Sequence, residues 1–358
     1  PASYNGIKLC RSGALPIGRD TGLLDIEERA LVALANPSTE PLAPLEHLDL
    51  LEEFADHVRS FIDVGDLRPL RVVADTANGM GGLIVPLVTE TLPLDLTILY
   101  PELDGTFPNH PADPIQPENL RDLQSAVLRE HADVGLAFDG DADRVFLVDE
   151  RAEPVSGSLT TALVAVSMLG KHPGSTILYN LICSKVVPEV IAENGGRAIR
   201  TRVGHSYIKE QMAQTDAVFG GEHSGHYYYR DNFRADSGII TAMIVLELIS
   251  RSQKPLSELV LPFHRYYDSG EINVTVRDPS AVVETMAVRV ADEGASVDRL
   301  DGLTGEYRDW WFNLRPSNTE PLLRLNVEAA SAEQCDRHVG DLRLLINDIS
   351  TCSGSGAN

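Results

Sequence analysis

Short apolar runs alternate with segments of helical spacing between residues 43 and 152. The apolar runs RVVAD, DLTILYPE and ADVGLAFD predict buried strands. Segments whose apolar residues recur every three to four positions predict amphipathic helices over residues 45–62, 83–92 and 118–131. Strands that alternate with helices are typical of an α/β domain with a parallel sheet.

The same rhythm returns between residues 153 and 264, and it changes after residue 265. Strand-like segments at 270–278, 301–317 and 322–330 then stand beside two predicted helices, which indicates an α+β module. Before residue 43, YNGIKL resembles a strand and LLDIEERALVAL a helix. The predicted divisions are 1–42, the end of a first α/β domain; 43–152, a second; 153–264, a third; 265–350, a C-terminal α+β domain; and 351–358, a tail.

Charge and cysteine content narrow the class of protein. The 358 residues carry a formal net charge of -23, which argues against nucleic acid or an anionic membrane as the main partner. The four cysteines form no C-x-x-C pair, and no apolar run approaches the roughly 20 residues of a membrane span. We therefore expect a cytoplasmic protein, in which any anionic substrate needs a local group of cations.

The segment Asp139-Gly140-Asp141-Ala142-Asp143-Arg144 follows a predicted buried strand. Its three carboxylates could share one hard cation such as Mg²⁺ if the chain curls, and Gly140 is expected to help it curl. Three other interpretations are an acidic surface turn, an EF-hand loop and the nucleophile loop of a haloacid-dehalogenase-type phosphatase. Arg144 stands where an EF-hand requires Gly, and Asp143 departs from the phosphatase pattern.

Three further loops carry polar groups that could bind sugar hydroxyls or an anion. Residues 220–226 read G-G-E-H-S-G-H, and glycines there let a ligand approach the backbone while Glu, Ser and His offer donors and acceptors. Upstream, residues 204–209 read G-H-S-Y-I-K at a strand-to-helix turn, where a helix N-terminus favours an anion. Residues 315–321 read R-P-S-N-T-E-P, which could cradle a phosphate. Taken alone, each of these loops could equally be a polar turn.

Together and in this order, D-G-D-A-D-R, G-H-S-x-I-K, G-E-H-S-G-H and R-P-S-N-T-E-P resemble the α-D-phosphohexomutase superfamily, most closely its phosphomannomutase/phosphoglucomutase branch. The resemblance implies three related α/β domains and a smaller C-terminal α+β domain around a central cleft. It also implies interconversion of hexose 1-phosphate and 6-phosphate through a phosphoserine and a hexose 1,6-bisphosphate intermediate, with Mg²⁺ bound. The implied substrates are mannose or glucose phosphates, and the implied protein is a monomer or a homodimer.

The resemblance assigns expected roles to residues of this sequence. Mg²⁺ would be bound by Asp139, Asp141 and Asp143, and Arg144 would neutralise the transferred phosphoryl group. Lys8 and His226 are candidates for general acid/base catalysis. The substrate would be bound by Gly204, His205, Lys209, Glu222, Ser224, Arg315, Ser317, Asn318 and Thr319.

The opening residues match the end of the family motif T-A-S-H-N-P-x-x-Y-N-G-x-K, with Pro1 at its proline. The catalytic serine would precede Pro1, so these residues alone are expected to form an N-terminally incomplete, inactive enzyme. One alternative is a phosphoglucosamine mutase, but those enzymes usually resemble G-E-Q-S-G-H and R-x-S-G-T-E, which His223 and Asn318 do not match. The other is a non-catalytic protein that binds a phosphosugar.

Overall fold

The computed structural model describes residues 6–37, 44–317 and 322–352. The strands are β1 Cys10–Arg11, β2 Leu15–Pro16, β3 Leu70–Asp75, β4 Leu94–Leu99, β5 Val134–Phe138, β6 Val145–Asp149, β7 Pro154–Val155, β8 Thr176–Asn180, β9 Arg197–Thr201, β10 Phe219–Gly221, β11 Tyr227–Tyr229, β12 Tyr267–Asp268, β13 Ile272–Thr275, β14 Ser296–Asp298, β15 Leu303–Glu306, β16 Trp310–Pro316 and β17 Leu322–Ala329. The α-helices are α1 Leu23–Ala35, α2 Leu51–Arg59, α3 Gly81–Thr89, α4 Arg121–Glu130, α5 Gly157–Lys171, α6 Val186–Glu193, α7 His205–Thr215, α8 Gly238–Ser252, α9 Leu256–Val260, α10 Pro279–Asp292 and α11 Ala332–Cys352.

These elements form two compact units. The first comprises Pro1–Pro154, Lys209–Asp216 and His226–Pro255, and the second comprises Val155–Ile208, Ala217–Gly225 and Leu256–Asn358. None of the helices in the described part of the chain is long and apolar enough to cross a membrane.

The first unit is built on a sheet with the strand order β4-β3-β5-β6-β7. Strands β4, β3 and β5 run parallel, whereas β6 runs antiparallel to β5. Buried residues of α4, among them Leu123 and Val127, pack against Val73 of β3 and Val148 of β6. The metal-loop candidate lies between β5 and β6, where the polypeptide reverses direction.

The second unit contains two sheets. One has parallel strands in the order β10-β8-β9. The other is antiparallel, with the order β12-β17-β16-β15-β14 and β13 paired with β17. Its core joins the sheet to α10 and α11 through fully buried side chains such as Phe312, Leu325, Met286 and Ile346.

Several local predictions need correction. The six residues between β5 and β6 are too few for a crossover, since parallel strands need a connection of about a dozen residues or more, so the predicted parallel sheet is mixed. Residues 6–9 of the predicted strand YNGIKL are not a strand, residues 4 and 5 lie outside the described residues, and pairing starts at Cys10. The helix predicted from residue 45 begins at Leu51. The domain divisions remain a prediction.

Candidate active site

The three aspartates of the loop after β5 converge. Asp139, Asp141 and Asp143 each present one carboxylate oxygen within 4.8 Å of the others. The residue in the left-handed region is Ala142, with a φ of 60°, and its N–H donates to the carbonyl of Asp139 at 3.2 Å. Gly140 is not among the residues with positive φ, so the expectation that it provides the curl was wrong.

The turn between β3 and α3, which packs against this loop, does require a glycine, Gly79. A Cβ on Gly79 would lie 2.6 Å from the carbonyl oxygen of Gly140, well inside van der Waals contact. The N–H of Met80 donates to the same carbonyl at 2.9 Å. The turn between β3 and α3 therefore supports the backbone of the aspartate loop directly.

Arg144 binds the first aspartate of the loop and a neighbouring carboxylate. Its Nε lies 2.8 Å from Oδ2 of Asp139, its backbone N–H donates to Oδ1 of Asp139 at 3.1 Å, and its Nη1 lies 3.4 Å from Asp113. Burial raises the pKa of Asp139, and Arg144 opposes that rise. Burial alone would lower the pKa of Arg144, but Asp139 raises it. The guanidinium therefore orients the carboxylate of Asp139.

Two candidate acid/base groups lie at the third aspartate. Lys8 forms an ion pair with Asp143 and lies 3.9 Å from Oδ2 of Asp236. Nε2 of His226 lies 3.7 Å from Oδ1 of Asp143. Burial alone would lower the pKa of Lys8, but the hydrogen bond to Asp143 and the nearby carboxylates raise it. Burial alone would raise the pKa of Asp143, but Lys8 lowers it, so this pair is ionic.

The donor set fits a hard divalent cation at the loop. Three carboxylates supply only oxygen, the ligand that Mg²⁺ prefers. A second group, Asp143, His226 and Asp236, is equally close-spaced, but it contains a nitrogen ligand, and two of its members contact the ammonium of Lys8, whereas in the first group only Asp143 does. The group Asp139, Asp141 and Asp143 is therefore the better candidate for Mg²⁺.

A half-buried histidine, His110, to which sequence reasoning gave no role, pairs with the buried Asp75 in the same unit. Nε2 of His110 is 3.1 Å from Oδ2 of Asp75, and Nδ1 is 2.9 Å from the carbonyl of Pro111. Both partners are acceptors, so each ring nitrogen can donate to its partner when the imidazole is protonated. The hydrogen bond to Asp75 raises the pKa of His110, although burial opposes this. The signal that the sequence offered for this pair was Asp75, an aspartate at the end of a predicted buried strand.

In the second unit, two of the sequence motifs meet directly. Gly204 has a φ of 127° and donates its N–H to Oε1 of Glu222 at 3.3 Å, and Nδ2 of Asn180 contacts the same oxygen at 3.3 Å. Glu222 is buried, Ser224 is half-buried and His205 is exposed at the start of α7. Lys209 lies on α7 in the portion assigned to the first unit and is half-buried.

The phosphate-cradle candidate lies at the end of β16 in the second unit. Arg315 lies opposite Arg324 across β16 and β17, and both approach Glu271, at 3.2 and 3.4 Å. The Nε atoms of both arginines are buried and have no hydrogen-bond partner among the described residues. The N–H of Ser317 donates to the carbonyl of Leu322 at 2.9 Å. The predicted binding residues Asn318 and Thr319 lie outside the described residues.

Comparison with known proteins identifies the family. Models of phosphoglucomutase/phosphomannomutase match residues 52–153 as α/β/α domain II, residues 156–266 as α/β/α domain III and residues 271–344 as the C-terminal domain. The chain belongs to the phosphoglucomutase/phosphomannomutase family. This confirms the resemblance to the α-D-phosphohexomutase superfamily and the predicted fold class.

Individual members of the phosphoglucomutase/phosphomannomutase family align over most of the chain. The phosphomannomutase of Salmonella typhimurium is 38% identical over 336 residues, which cover 92% of this chain and 74% of that protein. The phosphomannomutase of Methanocaldococcus jannaschii is 33% identical over 348 residues, 97% of this chain and 76% of that protein. The crystal structure of a family member from Burkholderia thailandensis matches with a TM-score of 0.81 and 29% identity, and covers 93% of this chain and 71% of that chain.

Proposed function

We propose that this chain provides the metal, sugar and distal-phosphate sites of a phosphohexomutase that interconverts the 1- and 6-phosphates of mannose or glucose. The observation that carries the proposal is the loop from Asp139 to Arg144, whose three carboxylates converge beside Lys8 and His226. Family membership and the relatives named phosphomannomutase support the same activity.

The transferred group is proposed to come from a phosphoserine, which the family motif places before the position that Pro1 matches. The serine oxygen–phosphorus bond breaks, a bond from phosphorus to the hexose hydroxyl oxygen forms, and a base takes the hydroxyl proton. Return of the other phosphate of the bisphosphate to the serine completes the cycle. Lys8 and His226 are the proposed acid/base groups because both lie at Asp143.

Mg²⁺ held by Asp139, Asp141 and Asp143 would polarise the phosphoryl oxygens. Arg144 orients Asp139 through two hydrogen bonds and opposes the rise in its pKa that burial causes. Its positive charge also offsets part of the negative charge at the site.

Most of the residues proposed to recognise the substrate lie in the second unit, and Lys209 lies in the first. Glu222 and Ser224 would bind sugar hydroxyls, and Gly204 holds Glu222 by its N–H. His205 and Lys209 at the start of α7 would contribute to sugar and phosphate binding. Arg315 would bind the phosphate that does not react, together with Ser317, Asn318 and Thr319. We add Arg324 to this group, because it lies opposite Arg315 and shares Glu271 with it.

The metal proposal is tested by calorimetric titration of Mg²⁺ into the protein, followed by thermal unfolding with and without the ion. We expect one site, and a stabilisation of about 2.7 kcal/mol when Mg²⁺ is at roughly one hundred times its dissociation constant. Asp141→Asn should remove both effects, because it deletes one of three charged ligands. Asp309→Asn changes an exposed aspartate of the other unit and should change neither. Equal Mg²⁺ binding by Asp141→Asn would refute the assignment.

A further inference from the structure

The first turn of α5 is in backbone contact with the predicted sugar-binding loop, Glu222-His223-Ser224-Gly225. A Cβ on Gly157 would lie 2.2 Å from the carbonyl oxygen of His223 and 3.1 Å from that of Glu222. Only glycine allows so close an approach. Whatever fixes this loop to α5 therefore also fixes the backbone that carries Glu222 and Ser224.

One side-chain hydrogen bond joins the loop to α5. Oγ of Ser158, which is 3% exposed, lies 3.0 Å from Nδ1 of His223. The backbone N–H of Ser184 donates to the same Oγ at 3.1 Å. The hydroxyl has one proton, which it can donate to Nδ1 while the oxygen accepts from Ser184, and the buried Cys183 is a further neighbour of this hydroxyl.

The protonation state of the imidazole agrees with this direction. Burial lowers the pKa of His223, although the carboxylates of Asp268 and Glu271 oppose the shift. The ring is therefore neutral at pH 7, Nδ1 accepts, and the proton lies on Nε2.

Other polar side chains of the second unit lie near His223. His223 lines a small cavity together with Asp268, Asn326 and Glu328, and the cavity has about 10 Å³ of space, close to that of one water molecule. Nδ2 of Asn326 is buried and has no hydrogen-bond partner among the described residues. Glu328 already accepts from the N–H of Lys185 and from Nε1 of Trp311. Polar groups of the protein therefore line the cavity beside the half-buried His223.

We propose that the Ser158–His223 pair is a positioning device that sets the sugar-binding loop so that Glu222 and Ser224 can grip the hexose hydroxyls. The hydrogen bond between Ser158 and the neutral imidazole holds the loop, and neither residue takes part in the chemical step. This inference rests on the proposed function, because it assigns the loop to the sugar of a phosphohexose.

Steady-state kinetics with mannose 1-phosphate tests the pair, with the protein produced from its complete reading frame. Ser158→Ala should raise KM about three- to tenfold, the equivalent of one lost hydrogen bond, and should leave kcat within about twofold. His223→Ala should do the same. His223→Gln should retain a near-normal KM, because its amide oxygen can accept the proton of Ser158.

A pH series separates positioning from general loss of structure. Protonation of His223 places a proton on Nδ1, so KM should rise as the pH falls below 6.5, the ordinary value for histidine. Asp268, Glu271 and Glu328 also face this region and could contribute to a pH dependence of KM. His223→Gln keeps these carboxylates and lacks the imidazole, so it is the reference, and its KM should not rise at low pH. His172→Gln, at the far end of α5, is the matched control and should behave as the wild type.

Two failures are distinguishable. Wild-type protein without mutase activity and without affinity for mannose 6-phosphate would refute the proposed function itself. An active wild type whose KM is unchanged by Ser158→Ala and His223→Ala would refute only the positioning role. Loss of kcat alone in folded variants would also overturn it.

Discussion

At the scale of single residues, the role of each charged side chain depends on its partner. Lys8 has a raised pKa although partial desolvation alone would lower it, because Asp143 and Asp236 face it. Arg144 binds Asp139, and Arg315 binds Glu271. A sequence shows the charges and their order along the chain, but the pairing depends on contacts over long separations, such as the 135 residues between Lys8 and Asp143.

His110 provides a residue-scale test of this pairing. The bond to Asp75 raises the pKa of His110 above its ordinary value of 6.5. A raised histidine pKa adds stability that is complete below about pH 6.5 and is lost as the pH rises through the pKa of the folded state. His110→Gln should therefore destabilise the protein more at about pH 6 than at about pH 9. Urea unfolding at the two pH values measures this difference, and an equal loss at both would contradict the charged pair.

At the scale of elements, apolar spacing predicted the helices α3 and α4 and the strands β3, β5 and β17. It missed short strands such as β11 and β12, which span three and two residues and show no periodicity of their own. They become strands only by pairing with longer neighbours, β11 with β10 and β12 with the distant β17. The alternation of strands and helices also did not reveal the direction of β6, which is imposed by the short connection from β5.

The candidate site likewise has features that the sequence predicted and features that it did not. The sequence predicted the types and order of its residues, because metal ligands and phosphate-binding groups have characteristic compositions. It expected Gly140 to help the aspartate loop curl, whereas Ala142 takes the left-handed conformation. It also gave no role to Ser158 or Arg324, whose importance depends on a contact with another element.

The packing of the β3–α3 turn against the aspartate loop gives an element-scale prediction. Gly79→Ala places a methyl group 2.6 Å from a backbone oxygen that cannot move aside cheaply, and we expect a loss of about 1–3 kcal/mol in the free energy of unfolding. Gly170→Ala lies in α5, where nothing is within 4 Å of the new Cβ. It should raise stability by roughly 0.5–1 kcal/mol. Denaturant titration compares the two, and a Gly79→Ala variant as stable as the wild type would show that the turn does not constrain the loop.

At the scale of the whole molecule, the net charge of -23 opposes binding of any anionic substrate. The proposed sites contain cations that would offset this negative charge locally. They are Lys8 and Arg144 in one unit and Arg315 and Arg324 in the other. A divalent cation at the aspartate loop would add further positive charge where it is most needed. The acidic character of the molecule is therefore compatible with a phosphosugar substrate only if these local groups bind it.

The most direct test of the central claim is ³¹P NMR of mannose 1-phosphate with the protein from its complete reading frame, Mg²⁺ and glucose 1,6-bisphosphate. The account predicts that the mannose 6-phosphate resonance appears and that Asp141→Asn lowers its rate of appearance by more than about a hundredfold, since the metal contributes several kcal/mol. Absence of interconversion by the wild type, or an equal rate for the variant, would contradict it.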